Sequence, residues 1–395
     1  MRICIVVDDY MPQSTKIAAK MMHDLAKGFL SLGHQVVVVT PGPELSDPYK
    51  ITDLDGIKIY RFRSGQIKNV SKIKRAINES LLSWRAWRSL RNVFSKESNE
   101  LILYYSPSIF WGPLIKKLKK LWKAHSYLVL RDFFPQWAID NGLLGKNSFI
   151  THYFRFFESI NYEAADRIGI QSPKNLEWFQ TRFARNKGTE VLYNWAENSS
   201  NDSVKKKQSY RSKLGLEGKV VFFYGGNIGY AQDMGNILRL AENLKENKNA
   251  HFLLIGNGDE VELVREGIRR SSLNNLTLLG PVPQDEFKKI LEEFDIGLFS
   301  LHKNHQTHNF PGKVLGYMVQ AMPILGCVNP GNDLKEVIET AEAGFVSISG
   351  EDSLLKDNAI RLMDDSLRKK MGLNAKKLLE DRFSVSSAIS QILKV

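Results

Sequence analysis

The segment Phe310-Pro311-Gly312-Lys313 has the residue types and spacing of a phosphate-binding site. It leads into an apolar helix, and the first amides of a helix lack intrahelical partners. Proline suits the start of a helix, whose positive dipole end attracts anions. A lysine in the first turn is unfavourable unless an anion lies nearby. Lys313 therefore favours a phosphate ligand over an ordinary loop-to-helix junction.

A second candidate loop is "FYGGNIGYAQDMGNI", in which Gly225 and Gly226 directly follow a buried strand. Adjacent glycines let a ligand approach the backbone, although the spacing does not match GxGxxG. In the first half of the chain, "DDYMPQSTKIAAK" occupies the equivalent loop. Two such loops facing each other predict a diphosphate bound between two domains. Amides, helix dipole and lysine would stabilise the charge that develops on a departing nucleotide diphosphate.

Two patterns could instead hold a metal ion. His302, His305 and His308 recur at every third position, but zinc sites need rigidly held ligands and a following proline indicates a loop. We expect these histidines to be solvated or to face a ligand. Asp53 and Asp55 form an Asp-x-Asp pair, but glycine follows Asp55 and the Asp-Gly step predicts a hairpin turn. No metal site is predicted.

Charged residues interrupt a third buried strand in "LVLRDFFPQWAIDNG". Arg131 and Asp132 fall at its carboxyl end, where charges usually face a ligand-binding crevice. Asp132 is a candidate general base toward an acceptor hydroxyl, with Arg131 orienting it or binding phosphate. An internal Arg–Asp pair or a helix cap is the alternative.

The net charge of +12 lies in one block. Residues 61–125 contain 15 Lys/Arg and three acidic residues, an excess equal to the net charge of the whole chain. Basic amphipathic segments with tryptophan suit an anionic membrane surface. Nucleic-acid binding and a solvated helix face are alternatives, and the long apolar components favour lipid. The candidate membrane- or acceptor-contacting residues are Trp84, Trp87, Trp111, Trp122, Lys116, Lys117, Lys119 and Lys120.

The elements that position these residues alternate between strand and helix. Near-continuous apolar strands such as "GHQVVVVT" predict parallel sheets covered on both faces, and a helix is predicted from about Ile17 to Leu32. We predict α/β architecture with two doubly wound Rossmann-like domains at 1–197 and 198–382. A polar linker follows "TEVLYNW", and a last helix falls within 383–395, which either stands alone or packs on the first domain.

Composition limits the compartment and the class of protein. The chain has 395 residues, 43% of them hydrophobic and 25% charged, as in folded globular proteins. Its two cysteines lie in apolar runs, which favours a reducing compartment over a disulfide framework. No segment resembles a signal peptide or a membrane span. We expect a cytoplasmic protein, peripheral at the inner face of the plasma membrane.

The ordered motifs resemble those of glycosyltransferase family four, whose members have the GT-B fold of two Rossmann-like domains facing across a cleft. The motifs are "RDFFPQWAIDNG", "IGIQSP", "VLYNWAEN", "YGGNIGYAQDM", "HFLLIGNGDE", "NFPGKVLGYM" and "PILGCVNPGNDL". They are most similar to the bacterial surface-polysaccharide branch, including the O-antigen L-fucosaminyltransferases. That resemblance implies a UDP-sugar donor and a polyprenyl-diphosphate-linked acceptor.

The chain departs from the family pattern at the donor site. His308 and Gly316 stand where the family usually has two glutamates, and Arg131 stands at the usual histidine. The usual Arg and Lys after the glycine loop are replaced by Asn227 and Gln232. The resemblance therefore leaves Lys313 as the best phosphate cation. The predicted donor-binding residues are Gly225, Gly226, Asn227, Gln232, Val282, His308, Asn309, Phe310, Pro311, Gly312 and Lys313.

These observations predict a metal-independent glycosyltransferase without a cofactor. It would move a sugar, with N-acetyl-L-fucosamine as the candidate, from UDP to a polyprenyl-diphosphate-linked saccharide in O-antigen or capsule synthesis. Its partners would be the donor, the lipid-linked acceptor and anionic inner-leaflet lipid, and no nucleic acid. The alternatives are a UDP-sugar epimerase on the same fold and a non-catalytic, membrane-bound nucleotide-sugar binder.

Overall fold

The computed structural model describes residues 1–14, 16–42, 45–67, 70–140, 142–183, 188–198, 209–304 and 310–394. The chain divides into two compact units. Unit 1 consists of Met1–Tyr193 together with Val385–Val395, and unit 2 is Asn194–Ser384. Most of the predicted polar linker lies outside the described residues.

Unit 1 contains eight strands and eight helices among its described residues. Its strands are β1 (Arg2–Val6), β2 (Gln35–Gly42), β3 (Tyr49–Leu54), β4 (Ile57–Arg63), β5 (Leu101–Tyr105), β6 (His125–Leu130), β7 (Arg167–Ile170) and β8 (Thr189–Val191). Its helices are α1 (Ile17–Ser31), α2 (Lys72–Ser80), α3 (Leu82–Lys96), α4 (Gly112–Trp122), α5 (Gln136–Asp140), α6 (Phe149–Ala164), α7 (Pro173–Phe183) and, from the end of the chain, α16 (Val385–Ile392). Leu81 alone separates α2 from α3.

The strand order of unit 1 is β3-β4-β2-β1-β5-β6-β7-β8. All neighbours are parallel except β3 and β4, which form an antiparallel hairpin through the predicted Asp55-Gly56 turn. Both turn residues have positive φ, 54° and 78°, as this hairpin turn requires. The strand order reverses between β1 and β5, so their carboxyl ends flank a crevice of the kind that binds ligands in open α/β sheets.

Unit 2 is built from six parallel strands and their connecting helices. Its strands are β9 (Val220–Asn227), β10 (Ala250–Asn257), β11 (Leu276–Leu279), β12 (Ile296–Ser300), β13 (Ile324–Val328) and β14 (Gly344–Ile348). Its helices are α8 (Tyr210–Lys213), α9 (Met234–Asn243), α10 (Val261–Arg270), α11 (Gln284–Leu291), α12 (Gly312–Val319), α13 (Leu334–Thr340), α14 (Asp352–Arg361) and α15 (Asp365–Leu378), with short 3₁₀ and π turns at Tyr230–Gln232 and Leu379–Phe383.

The strand order of unit 2 is β11-β10-β9-β12-β13-β14. Counted from its own first strand this is 3-2-1-4-5-6, the order of dinucleotide-binding doubly wound folds. The order reverses between β9 and β12, which places the glycine loop after β9 and the segment before α12 at the same crevice. The predicted architecture of two doubly wound α/β domains is confirmed.

The helix at the end of the chain belongs to unit 1 and packs on α1. Gly28 makes this contact possible, since a Cβ there would lie 2.6 Å from atoms of both Val385 and Ile389. The Gln391 side chain also donates a hydrogen bond to the carbonyl of Val191 in β8. Of the two alternatives that the sequence left open, the structure has the helix packed on unit 1.

None of the described helices combines the length and the hydropathy that crossing a bilayer requires.

Candidate functional site

The glycine loop of unit 2 is shaped by tight packing beneath it. A Cβ on Gly225 would lie 2.4 Å from the ring of Phe287, and the Gly225 amide donates to the Tyr317 hydroxyl at 3.4 Å. Gly226 has a φ of 122°, a conformation that favours glycine. Beyond the glycines, the Asn227 side-chain amide donates to Gln232 at 2.7 Å, so these two predicted donor contacts form an exposed pair.

Lys313 reaches from the first turn of α12 to the glycine loop. A Cβ on Gly226 would lie 3.8 Å from its Cε and 3.9 Å from its Nζ. The Nζ is buried 3.4 Å from the centre of the Tyr224 ring and has no hydrogen-bond partner among the described residues. Desolvation by burial holds the pKa of Lys313 well below its usual value. A buried amine without a counter-charge is costly, and an anion bound there would relieve that cost.

The start of α12 adds a second feature that favours an anion. Pro311 precedes the helix in an extended conformation, and no side chain of the described residues caps the first turn. The Val314 amide donates to the Pro311 carbonyl, which leaves the Gly312 and Lys313 amides for a ligand, and the helix dipole adds positive potential next to Lys313. Gly312 is exposed, with no atom within 4 Å of a Cβ placed on it. Backbone amides and one lysine converge on this point.

An aromatic pair lies beside the same crevice. Tyr230 stacks on His302 with ring centres 4.6 Å apart, and the Tyr230 side chain is 60% exposed. The His302 amide donates to the carbonyl of Ala231, which ties the two loops together. The outward face of the Tyr230 ring is thus available to a ligand. Sequence reasoning did not single out Tyr230, because an isolated tyrosine in a polar loop carries no pattern.

Burial limits the contact that one predicted donor-binding residue, Phe310, can make with a ligand. The Phe310 side chain is only 7% exposed and packs near Phe383, with ring centres 6.2 Å apart, so its side chain belongs to the core of unit 2. Val282 is partly exposed in the loop between β11 and α11. His308 and Asn309, like His305 of the histidine series, lie outside the described residues.

In unit 1 the candidate residues Arg131 and Asp132 follow β6. Arg131 is 8% exposed and donates to the carbonyls of Leu130 at 3.3 Å and Tyr193 at 3.2 Å. Burial lowers the pKa of Arg131 to about 10. The Asp132 side chain is exposed, yet desolvation by the surrounding protein raises its pKa, and the Arg131 charge partly opposes that shift. A carboxylate with a raised pKa at an open crevice can accept a proton.

Asp8 joins this crevice from β1 and was not predicted as a site residue. Burial raises the pKa of Asp8 to about 6, with smaller contributions from the charges of Glu79 and Asp9. Burial raises the pKa of Tyr105 at the end of β5, and the charges of Asp132 and Asp8 both raise it further, so each carboxylate lies within electrostatic reach of that tyrosine. The signal was available, since Asp8 interrupts a buried strand just as Arg131 and Asp132 do.

The tryptophans of the basic block do not form one surface. Trp111 is fully buried in the unit 1 core, and Trp122 is partly buried with its indole nitrogen donating to the Phe94 carbonyl at 2.7 Å. Trp87 is partly buried against the same core. Only Trp84, at 51%, is exposed among the four. The prediction that Trp111 and Trp122 contact a membrane is therefore wrong, because both side chains pack in or against the core of unit 1.

The lysines of α4 lie on its solvent side. Lys116 forms an ion pair with Glu163 at 2.9 Å, and Lys119 forms one with Asp166 at 2.7 Å. Lys117 lies over the Trp87 ring, 5.1 Å from its centre, and Lys120 is exposed. Two of the four charges are therefore compensated within unit 1.

The Asp-x-Asp pair serves the β3–β4 hairpin. Asp53 accepts a hydrogen bond from the Gly56 amide at 3.1 Å, and Asp55 bonds His23 at 2.9 Å. The hairpin interpretation is confirmed. Among the described residues, no cluster of three or more His, Cys, Asp or Glu side chains is arranged to hold a metal ion.

Comparisons with known proteins find similarity to glycosyltransferases. Residues 206–378 match the family model described as Glycosyl transferases group 1. A probable glycosyltransferase, WbjE, from Pseudomonas aeruginosa is 26% identical over 219 residues, which span 55% of this chain and 54% of that protein. The putative colanic acid biosynthesis glycosyl transferase WcaI from Escherichia coli K12 is 21% identical over 374 residues, 89% of each chain.

A solved structure extends the likeness to the whole fold. Anabaena Alr3699/HepE in complex with UDP-glucose superposes with a TM-score of 0.66 over all of this chain and 98% of that one, at 15% identity. At that identity the likeness concerns the fold. Residues 206–378 of unit 2 are thus similar to the Glycosyl transferases group 1 family, and the chain as a whole has the GT-B fold.

Proposed function

We propose that the chain transfers a sugar from a UDP-sugar to a polyprenyl-diphosphate-linked saccharide during surface-polysaccharide synthesis. The observation that carries the proposal is the buried Lys313 Nζ, which lies beside Gly226 without a hydrogen-bond partner among the described residues. The names of WbjE and WcaI and the UDP-glucose bound to HepE support the reaction class and the donor.

In this proposal unit 2 binds the diphosphate of the donor. Its oxygens accept from the first amides of α12 and from Lys313, while Gly226 lets them approach the backbone. The Tyr230 ring is positioned to stack on a sugar face, and the loop at Val282 would read uracil. When the nucleotide leaves, the same amides and lysine stabilise its negative charge, which is the role that a divalent cation has in other transferases.

Unit 1 contributes the groups that act on the acceptor. Asp132 is proposed to accept the proton of the attacking hydroxyl, with Arg131 holding the strand end by its bonds to two carbonyls. The acceptor, the lipid partner and the stated sugar, N-acetyl-L-fucosamine, follow from the family resemblance. Metal independence follows from the amide-and-lysine chemistry.

The direct experiment incubates the purified chain with UDP-sugars, UDP-N-acetyl-L-fucosamine first, with and without polyprenyl-diphosphate-linked N-acetylglucosamine. A glycolipid product that still forms in EDTA supports the proposal. A soluble isomer of the donor would instead indicate the epimerase, and binding without turnover would indicate the non-catalytic binder. Activity that requires an added divalent cation would contradict the lysine-based mechanism.

Lys313→Met tests the donor site itself. We expect UDP affinity to fall about 10- to 100-fold, or roughly 1–3 kcal/mol, because one charge-assisted hydrogen bond is lost. Lys245→Met removes an exposed unit 2 lysine and should leave UDP affinity unchanged. Because a bound anion raises the depressed pKa of Lys313, UDP binding should take up a proton and weaken as the pH rises between the free and bound values. Calorimetry in buffers of different ionisation enthalpy measures both the UDP affinity and the proton uptake.

A further inference from the structure

Helix α6 exposes an apolar stripe over its first two turns. Phe149 is 97% exposed, Tyr153 42% and Phe156 60%, and their spacing of four and three residues places them on one face. Ile150, beside them, is 48% exposed. The opposite face of α6 packs into unit 1 through buried residues such as Phe154, so the exposed stripe is not needed for folding.

The stripe continues onto two neighbouring helices. The Tyr153 hydroxyl donates to the Ser80 hydroxyl at the end of α2, 2.6 Å away. Ile77, about one turn before Ser80, is 56% exposed, and Trp84, about one turn after it, is 51% exposed. We call this surface the aromatic face. Its members are Ile77, Trp84, Phe149, Ile150, Tyr153 and Phe156, six of the nineteen large apolar side chains that are exposed in the described residues.

The charge around the aromatic face is strongly positive. Helices α2 and α3 contain seven Lys/Arg and one acidic residue, Glu79, which Arg75 already pairs at 2.8 Å. On α6, Glu158 is buried and paired with Arg155 at 2.6 Å. Arg88 lies over the Trp84 ring at 5.2 Å, so a cation borders the apolar side chains directly. A partner for this surface must be apolar at its centre and anionic at its rim.

We infer that the aromatic face is the surface by which this chain binds an anionic lipid bilayer. Aromatic and aliphatic side chains would enter the headgroup boundary while the surrounding cations contact lipid phosphates. A second copy of the chain that bound through the same surface would bring two positively charged surfaces together. Nucleic acid would match the charge but would offer no hydrocarbon to Ile77 and Ile150. The bilayer satisfies both requirements.

This inference deepens, and rests on, the membrane location in the proposed function, and it moves the centre of the contact from α3 and α4 to α6. Of the tryptophans and lysines first predicted, only Trp84 belongs to the aromatic face. Its test measures binding, whereas the proposed function is tested by turnover, so the two can fail separately. Transfer to a water-soluble acceptor analogue should survive loss of the aromatic face.

The test is co-sedimentation of the full chain with vesicles of phosphatidylcholine, alone or mixed with phosphatidylglycerol. We expect binding to the mixed vesicles, and at least about a tenfold loss in Phe149→Ser/Phe156→Ser. Leu263→Ser/Leu373→Ser is the matched control, because these unit 2 leucines are 44% and 67% exposed and lie outside the aromatic face. Both double variants should keep the parent unfolding midpoint, since the substituted side chains are exposed.

A charge variant tests the rim. Arg88→Gln should weaken binding to the mixed vesicles and leave any binding to pure phosphatidylcholine unchanged. Parent-like vesicle binding by the double phenylalanine variant would overturn the inference. So would sedimentation analysis showing a dimer that the same double variant dissociates, because the aromatic face would then be a protein interface.

Discussion

Unit 1 and unit 2 each contain a mostly or wholly parallel sheet whose strand order reverses once, and in both the candidate groups follow strands at that reversal or next to it. The groups themselves differ. Unit 1 offers the acidic side chains of Asp8 and Asp132, whose pKa values burial raises. Unit 2 offers glycine backbone, helix amides and the buried Lys313, whose pKa burial lowers.

The difference shows how one sheet topology can serve two chemical tasks. Desolvation acts at both crevices and in both cases favours the neutral form, the protonated acid in the carboxyl groups and the uncharged amine in the lysine. A carboxylate whose pKa is raised is a stronger base for the proton of a hydroxyl, and a desolvated lysine takes up a proton when an anion binds beside it. The predictions below separate these two tasks.

The largest expected effect comes from Asp132→Asn. If Asp132 takes the proton from the attacking hydroxyl of the acceptor, kcat should fall about 10²- to 10⁴-fold while UDP affinity stays at the parent value. Steady-state kinetics with the lipid-linked acceptor and calorimetry with UDP provide the two measurements. Asp140→Asn, an acidic residue on α5 of the same unit, serves as the control. A kcat within threefold of the parent value would remove Asp132 from the mechanism.

Gly226→Ala should have an intermediate effect, confined to unit 2. The added methyl would lie 3.8 Å from Lys313 Cε, and alanine would have to adopt a φ of 122°. UDP affinity should therefore fall about tenfold. Gly215→Ala also places alanine at positive φ, 65°, with no atom within 4 Å. That control should lose stability of about 1 kcal/mol without losing UDP affinity. Equal affinity losses in both variants would mean that strain, rather than the donor site, causes them.

The smallest effect concerns stability and pH. The folded pKa of Asp8, about 6, lies above the ordinary value of 3.8, so the stability that its proton provides at low pH is lost as the pH rises through 6. Asp8→Asn stays neutral and should be more stable than the parent at pH 8 by about 1–2 kcal/mol. A fully buried group with the same pKa shift would give roughly 3 kcal/mol. The gain should shrink toward pH 4. Urea unfolding of both proteins at each pH tests this, and a gain that is constant with pH would contradict it.

Much of the architecture was predictable because fully buried parallel strands have distinctive sequences. Runs such as the one ending in Thr40 identify β2, and the first helix was predicted at about Ile17–Leu32 where the structure has Ile17–Ser31. The hairpin at Asp55 followed from its turn residues alone. These features depend on local patterns of a few residues, which the sequence displays directly.

The surfaces were harder to predict, because composition does not say which way a side chain points. Trp111 and Trp122 lie in a basic segment and were expected to contact lipid. Their spacing with Leu114, Ile115 and Leu118 forms a single helical stripe, and that stripe packs into the core. Conversely, the exposed side of α6 could not be separated from its buried side, since aromatic residues occupy both.

The candidate sites required knowledge of the strand order. Asp8 and Asp132 are separated by more than a hundred residues and come near one another only because β1, β5 and β6 are adjacent. Likewise, nothing in the sequence around Lys313 indicates that the Tyr224 ring lies under its amine. Such contacts depend on tertiary packing between distant segments.

The contact between Gly28 and α16 has a consequence for biosynthesis. Because the last helix of unit 1 is translated after all of unit 2, a ribosome releases the strands of unit 1 long before the segment that covers α1 exists. The surface of α1 around Gly28 therefore stays uncovered while residues 194–384 are synthesised. Unit 1 is complete only after unit 2 has been made.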